Sequence, residues 1–212
     1  MIQRRGIVRR SARHIAKAVQ RTVDAYGDGR VEHETDFTSR MLANIEEAMN
    51  GFRIKGVQWR AKVLTDRGPH SQEHMFGADF LGVLEIKCAD YMVRKGFLAQ
   101  AKRAEQLRIE DLRDQCSKML EHSPDAFVFL YDRSGVTVVP AISVISCSIS
   151  PTQLYARSVA RFFEDHLECF IGDHRITALD ARGLEKLRHD VKARSLLHLR
   201  AEDSIEVLAL PS

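Results

Sequence analysis

Two short words in this chain could do chemistry together: Gly77-Ala78-Asp79, which opens an apolar run, and Gln100-Ala101-Lys102-Arg103, which closes another. The runs are Phe80 to Ile86, reading Phe-Leu-Gly-Val-Leu-Glu-Ile, and Gly96 to Ala99, reading Gly-Phe-Leu-Ala. Both are of strand type, bounded by turn-forming or charged residues. Paired as a hairpin, they set the start of the first strand beside the end of the second. Asp79 then meets Gln100 and Lys102 at one edge of a sheet. Lys102 shares a strand face with Gln100, because side chains two apart point the same way. An acid, an amide oxygen and an ammonium so placed can hold a divalent cation beside a phosphate. Magnesium suits this set, since it prefers hard oxygen ligands and takes only one or two carboxylates from protein.

A second word competes. Glu85-Ile86-Lys87 is a literal Glu-x-Lys. Pairing it with Asp79 fails on distance, since six residues of strand span about 20 Å. Pairing it with Asp66 suits the sequence spacing, yet Asp66 ends one strand and Glu85 the next. An antiparallel arrangement would put them at opposite ends. Asp79, Gln100 and Lys102 are therefore the favoured set. Taken singly, Asp79 would read as a turn acid and Lys102 as a solvated strand end.

The elements that must position these residues follow from periodicity. Val8, Ala12, Ile15, Val19 and Val23 recur at helical spacing, giving an N-terminal amphipathic helix ended by Gly27-Asp28-Gly29. Its other face is basic: Arg4, Arg5, Arg9, Arg10, Arg13, Lys17 and Arg21 all precede the first acid, Asp24. A second helix spans about Thr35 to Asn50, with Phe37, Met41, Leu42, Ile45 and Met49 as its stripe. Val57 to Leu64 alternates as a strand, and a polar loop follows to Met75. The two runs described above come next, joined by a turn around Lys87 to Lys95. Ala104 to His122 reads as a helix, then Ala126 to Tyr131 and Val136 to Val139 as strands. Pro151 is expected to start a helix carrying Leu154, Val159, Phe162, Phe163 and Leu167. A short helix near Ala181 to Arg194 and a strand at Ile205 to Leu210 complete the reading. Trp59 is expected in the core.

The core order is thus helix, three strands, helix, strand. Here the sequence resembles the PD-(D/E)xK nuclease superfamily, the fold of many restriction endonucleases. The match covers roughly residues 31–145. That family carries its metal-binding aspartate on the second core strand and an acid-x-Lys word on the third, which here fall on Asp79 and on Gln100-Ala101-Lys102. Glutamine departs from the commonest word but is similar to the Gln-x-Lys of Mrr-type restriction endonucleases and related anti-phage nucleases. The resemblance implies an α/β fold, a restriction-endonuclease-like mixed sheet with flanking helices in the order αβββαβ and helical additions at both ends. Residues 1–30 would form the basic helix, 31–145 the nuclease-like core, and 146–212 a helical extension packed on it.

The implied activity is metal-dependent cleavage of double-stranded DNA with Mg2+ or Mn2+, in restriction or phage defence. Asp79 and Gln100 would be ligands and Lys102 would position water or stabilise developing charge. The family often adds an acid from the first core helix. Glu34 is the first candidate, Glu46 the second, and Glu73 in the loop before Asp79 the third. Arg103, Arg5, Arg9 and Arg13 are candidates for phosphate contacts, and Gln115 could face the site. His70 and His74 lack a partner at ligand spacing and read as loop residues. Two other classes stay open: a nucleic-acid-binding module of this fold that does not cleave, and a protein-interaction subunit of a defence complex, either of which, like the nuclease, could form a homodimer.

Composition bounds the rest. The chain has 212 residues, 44% hydrophobic and 29% charged, enough for one domain with a full core. A net charge of +3 says little about partners, so only its distribution is informative. No apolar stretch is long enough to span a membrane, and the basic start lacks the apolar segment of a signal peptide. Cys88, Cys116, Cys147 and Cys169 show no Cys-x-x-Cys spacing. They read as reduced thiols in a cytoplasmic protein without a zinc site.

Overall fold

Phe37, Met41, Leu42, Ile45 and Met49 bury one side of a helix against a sheet whose central strands are apolar on both faces. The computed structural model describes residues 2–65, 77–178 and 180–204. The elements are α1 (Ile2–Gly27), α2 (Glu34–Met49), β1 (Arg53–Ile54), β2 (Val57–Thr65), β3 (Ala78–Cys88) and β4 (Tyr91–Arg103). They continue as α3 (Ile109–His122), β5 (Ala126–Asp132), β6 (Gly135–Pro140), α4 (Ala141–Ser146), β7 (Arg157–Ser158), α5 (Val159–Leu167), α6 (Ala181–Asp190) and β8 (Ala193–Asp203). This is a mixed α/β fold with one mixed sheet in the order β1-β2-β8-β3-β4-β5-β6-β7.

Helices cover both faces. One core layer joins α1, α2 and α5 to the sheet through Ile15, Phe37, Phe80, Phe97, Phe129 and Phe162. The other, on the opposite face, joins α3, α4 and α6 through Leu81, Leu98, Leu112, Val144, Leu184 and Leu196. Covered on both sides, β3 and β5 read as near-continuous apolar runs rather than alternating ones. Gly82 faces Phe97 in the β3–β4 ladder, and a Cβ there would come within 2.4 Å of that ring. Only glycine lets Phe97 lie flat across its neighbour.

The hairpin register is as the two words require: β3 and β4 are antiparallel, with Phe80 opposite Ala99. The connection is shorter than the loop expected from Lys87 to Lys95. It is the two residues Ala89 and Asp90, and the ladder continues to Cys88 opposite Tyr91. The charged stretch reads as a loop, yet Lys87 and Arg94 sit in the sheet because both pair with Glu85. β4 then runs parallel to β5 through the α3 crossover.

Three further expectations are corrected. The helix expected from Ala104 begins at Ile109, after a 3-10 turn at Ala104–Gln106. The helix expected from Pro151 begins at Val159: Pro151 heads only a 3-10 turn. The cap that starts α5 is the Ser158 hydroxyl, which accepts the Arg161 N–H. Lastly, the end of the chain supplies more than helices. β8, at Ala193–Asp203, enters the middle of the sheet, antiparallel to β2 and parallel to β3. Its Leu196-Leu197-His198-Leu199 run is the strand signal, while the expected strand at 205–210 lies outside the described residues. The first two core strands are therefore separated by a strand from far along the chain. Asp79 and Gln100 lie at the ends of two central strands, not on a lateral edge.

Candidate active site at the ends of the central strands

Asp79, Gln100 and Lys102 line one cavity of about 580 Å3, together with Glu34, Arg194 and Gln115. Five elements build it. β3 and β4 bring Asp79 beside Gln100 through their register. β8, parallel to β3 with Ala193 opposite Ala78, brings Arg194. α2 brings Glu34, its first residue, over the strand ends. Phe37, one turn on, stacks on Tyr131 of β5 with ring centroids 3.8 Å apart, which fixes where that helix begins. α3 closes the cavity with Gln115 and Lys118.

The Asp79 carboxylate is held from behind. Its Oδ2 accepts the Ala101 N–H at 2.9 Å. Burial nonetheless pushes its pKa above the usual carboxylate range, against the pull of Lys102, Ala101 and Arg194, and Glu34 adds to the rise. The site therefore holds a carboxylate that lacks enough positive charge.

Gln100 explains its own departure from an acid. Its Nε2 donates to the Gly77 carbonyl at 2.8 Å. Its Oε1 is buried and has no hydrogen-bond partner among the described residues. A glutamate ionised at this position would set an oxygen against the Gly77 carbonyl. An amide can anchor with nitrogen and present oxygen at once. Buried oxygens are normally bonded, so an orphan beside an undercompensated carboxylate points to a missing electropositive partner.

Glu34 reaches the site, but its oxygens are engaged. Oε2 lies 3.1 Å from Lys102 Nζ, and Oε1 accepts the Arg103 N–H at 3.1 Å. As arranged, Glu34 positions the Lys102 ammonium rather than offering a free ligand. Asp79 and Gln100 fit a hard divalent cation that keeps most of its waters. Among the described residues, no group of three or more His, Cys, Asp or Glu is placed to hold a metal.

Other candidates fall elsewhere. Glu46 accepts the Val63 N–H at 2.9 Å and ties α2 to β2, away from the cavity. Glu73, His70, His74 and Asp66 lie outside the described residues. Arg103 turns away from the cavity, its guanidinium bonding the Glu32 carbonyl and Gln106 and lying over the Tyr26 ring. Arg5, Arg9 and Arg13 are exposed on α1, whose neighbouring Ile7 and Val8 pack beside Lys55 and Tyr91. Tyr26, near the other end of α1, is the residue that meets Arg103, so the three arginines are not brought to the cavity. Trp59 is buried as expected.

Glu85 belongs to a different structure. Its buried carboxylate is surrounded by Arg94 Nε at 2.9 Å, Arg200 Nε at 2.9 Å and Lys87 Nζ at 3.0 Å. Burial opposes ionisation there, but Lys87, Arg94 and Arg200 together hold its pKa below the ordinary value. His198, 3.9 Å away, stays neutral because burial pushes its pKa down to about 4.

Arg194 escapes the sequence reading because the sequence around it reads as the end of a helix, whereas it lies on β8. Its signal is the alternation that follows, with Arg194, His198 and Arg200 on one face of β8 and Leu197, Leu199 and Ala201 on the other. Gln115 lines the cavity, and its Oε1 is a second buried oxygen without a partner among the described residues. No described helix is long and apolar enough to cross a membrane. No protein-family model, curated protein or solved structure matches the chain.

Proposed function

We propose that this chain is a metal-dependent endonuclease of the PD-(D/E)xK type, with a restriction-endonuclease-like core, that hydrolyses phosphodiester bonds of double-stranded DNA. The observation that carries the reading is the Gln100 amide oxygen, buried and unpartnered, beside an Asp79 carboxylate short of positive charge. The words Gly77-Ala78-Asp79 and Gln100-Ala101-Lys102 add the likeness to Mrr-type and phage-defence nucleases, and with it a restriction or defence role.

Asp79 and Gln100 would hold Mg2+ or Mn2+, which supplies an activated water and draws charge from the phosphoryl oxygens. Lys102 then faces the same space with its ammonium oriented by Glu34, ready to neutralise charge that develops on the phosphate. Arg194, with no ion-pair partner among the described residues, adds a second cation on the β8 side of Asp79. Strand and helix packing holds Asp79, Gln100 and Glu34 in place, which favours preorganisation.

A second reading is a nucleic-acid-binding module that keeps the fold without cleavage. One observation favours it: Glu34 spends both oxygens on Lys102 and Arg103, so neither is free to bind a cation. Incubating the purified protein with supercoiled plasmid and Mg2+ or Mn2+ separates the two. The nuclease reading expects nicked and linear products that vanish with chelator and with Asp79→Ala. Intact plasmid under both metals, with DNA still bound, would favour the binding module.

A further inference from the structure

The carboxylate of Glu85 organises a row of cations that the proposed cleavage does not use. Arg60 of β2 is opposite Arg200 of β8, Arg200 is opposite Glu85 of β3, and Glu85 is opposite Arg94 of β4. Directly opposed residues share a sheet face, so the four side chains form one line across four adjacent strands. With strands spaced about 4.8 Å apart, the line is about 14 Å long. Lys62 and Lys87 flank it, two residues from Arg60 and Glu85 along their strands.

Charge is far from balanced here. Among the described residues five cations, Arg60, Lys62, Lys87, Arg94 and Arg200, face three carboxylates, Glu85, Glu202 and Asp180 at the start of α6. Glu202 is 3.4 Å from Arg60. Lys62 is exposed and has no ion-pair partner among the described residues. Glu85 holds Arg94 and Arg200 by their Nε atoms. Their terminal nitrogens meet no acceptor among the described residues, and both side chains remain more than a third exposed. Each guanidinium is thus held at its Nε while the side chain stays partly exposed. That is the preorganisation which makes arginine an effective phosphate ligand. His198, neutral beside Lys62 in the β2–β8 ladder, adds no competing charge.

The geometry points to a phosphodiester-binding track on this sheet face, made by Arg60, Lys62, Arg94 and Arg200 around Glu85, which takes a nucleic-acid backbone. A row of partly exposed cations across four strands suits repeated phosphates along a chain better than one small anion. The track lies on the same face as Asp79, six residues further along β3, about 20 Å away. It requires no metal and no cleavage, so it goes beyond the nuclease reading.

The test is binding of a fluorescent duplex oligonucleotide by anisotropy, in chelator, at several salt concentrations. Working without metal keeps its outcome separate from that of the cleavage experiment. The variant Arg60→Gln with Lys62→Gln leaves the Glu85 partners in place and removes only one exposed ion pair. It should bind about tenfold more weakly or worse, with the salt slope reduced by about two, since each phosphate contact contributes close to one. A second variant, Arg94→Lys with Arg200→Lys, keeps the charge against Glu85 and removes the forks. It should weaken binding while leaving the slope unchanged, and it decides the matter if the first variant fails to fold. Wild-type affinity and slope in the folded variants would overturn the track. So would competition by inorganic phosphate, at constant ionic strength, as strong per phosphate as that by unlabelled duplex. Loss of binding to an acidic peptide with duplex binding intact would equally overturn it, in favour of a protein partner.

Discussion

The two ends of β3 carry an acid on the same sheet face, and their environments are opposite. At one end Asp79 sits beside Gln100-Ala101-Lys102, burial raises its pKa, and a buried amide oxygen next to it has no partner among the described residues. At the other end Glu85 belongs to a literal Glu-x-Lys word, and Lys87, Arg94 and Arg200 saturate it. The better motif by spelling is the satisfied one. A carboxylate with three cations at hydrogen-bond distance has little left to offer a metal. One held by a single backbone N–H, in an open cavity, has electrostatic demand unmet. The Glu85 end is a structural clasp and the Asp79 end a site waiting for charge.

The largest expected effect breaks this comparison at its two lysines. Lys102→Ala should lower plasmid cleavage by about 100-fold, the scale for losing one preorganised stabiliser of transition-state charge. Lys87→Ala should leave the initial rate within a few-fold. Equal losses in a gel-based rate assay would mean that the two words act alike.

Next comes stability. Glu85→Gln removes the counter-charge from three cations and should cost about 2 kcal/mol in urea unfolding, the range for hydrogen bonds to charged groups. The pH dependence should carry opposite signs at the two ends. The Glu85 pKa is lowered in the fold, so its contribution is present above the unfolded carboxylate pKa, about 4.3, and is lost as pH falls through the folded value. The Asp79 pKa is raised, so its ionisation costs stability once pH passes the folded value, and nothing below the unfolded value of about 3.9. Asp79→Asn should therefore melt at or above the wild-type temperature at pH 7, with the difference vanishing near pH 3. A variant that melts lower at pH 7 would contradict the unmet charge.

A smaller effect concerns Gln100. Gln100→Met keeps its bulk but loses the bond to Gly77, at about 1 kcal/mol. Manganese affinity should drop with it, because the presented oxygen is gone. The smallest concerns the helix acids. Glu46→Ala should cost about 1 kcal/mol through the lost Val63 contact and leave the cleavage rate unchanged. A Glu46→Ala protein of normal stability but lost activity would return that residue to the site.

Much of this arrangement is legible in the sequence, for identifiable reasons. The α1 stripe of Val8, Ala12, Ile15, Val19 and Val23 is buried throughout, because one helical face repeats locally. The β3–β4 hairpin is local too, so Asp79 and Gln100 could be paired from spacing alone. What is hidden is non-local. Nothing near Leu196 tells that its strand inserts between β2 and β3, and Arg194 reaches the cavity only through that insertion. The charged ends of β3 and β4 look like a loop until Glu85 is seen to neutralise them. Sequence gives Glu34 as a candidate ligand, but not that Lys102 and Arg103 occupy its oxygens.

The central claim is that the Asp79 end of β3, not the Glu85 end, binds the cation. Titration calorimetry of Mn2+ into wild-type protein, Asp79→Asn and Glu85→Gln tests it most directly. The account predicts one binding event in the wild type, its loss in Asp79→Asn, and its retention in Glu85→Gln at a temperature where that variant is folded. Binding that survives Asp79→Asn and disappears in Glu85→Gln would contradict it.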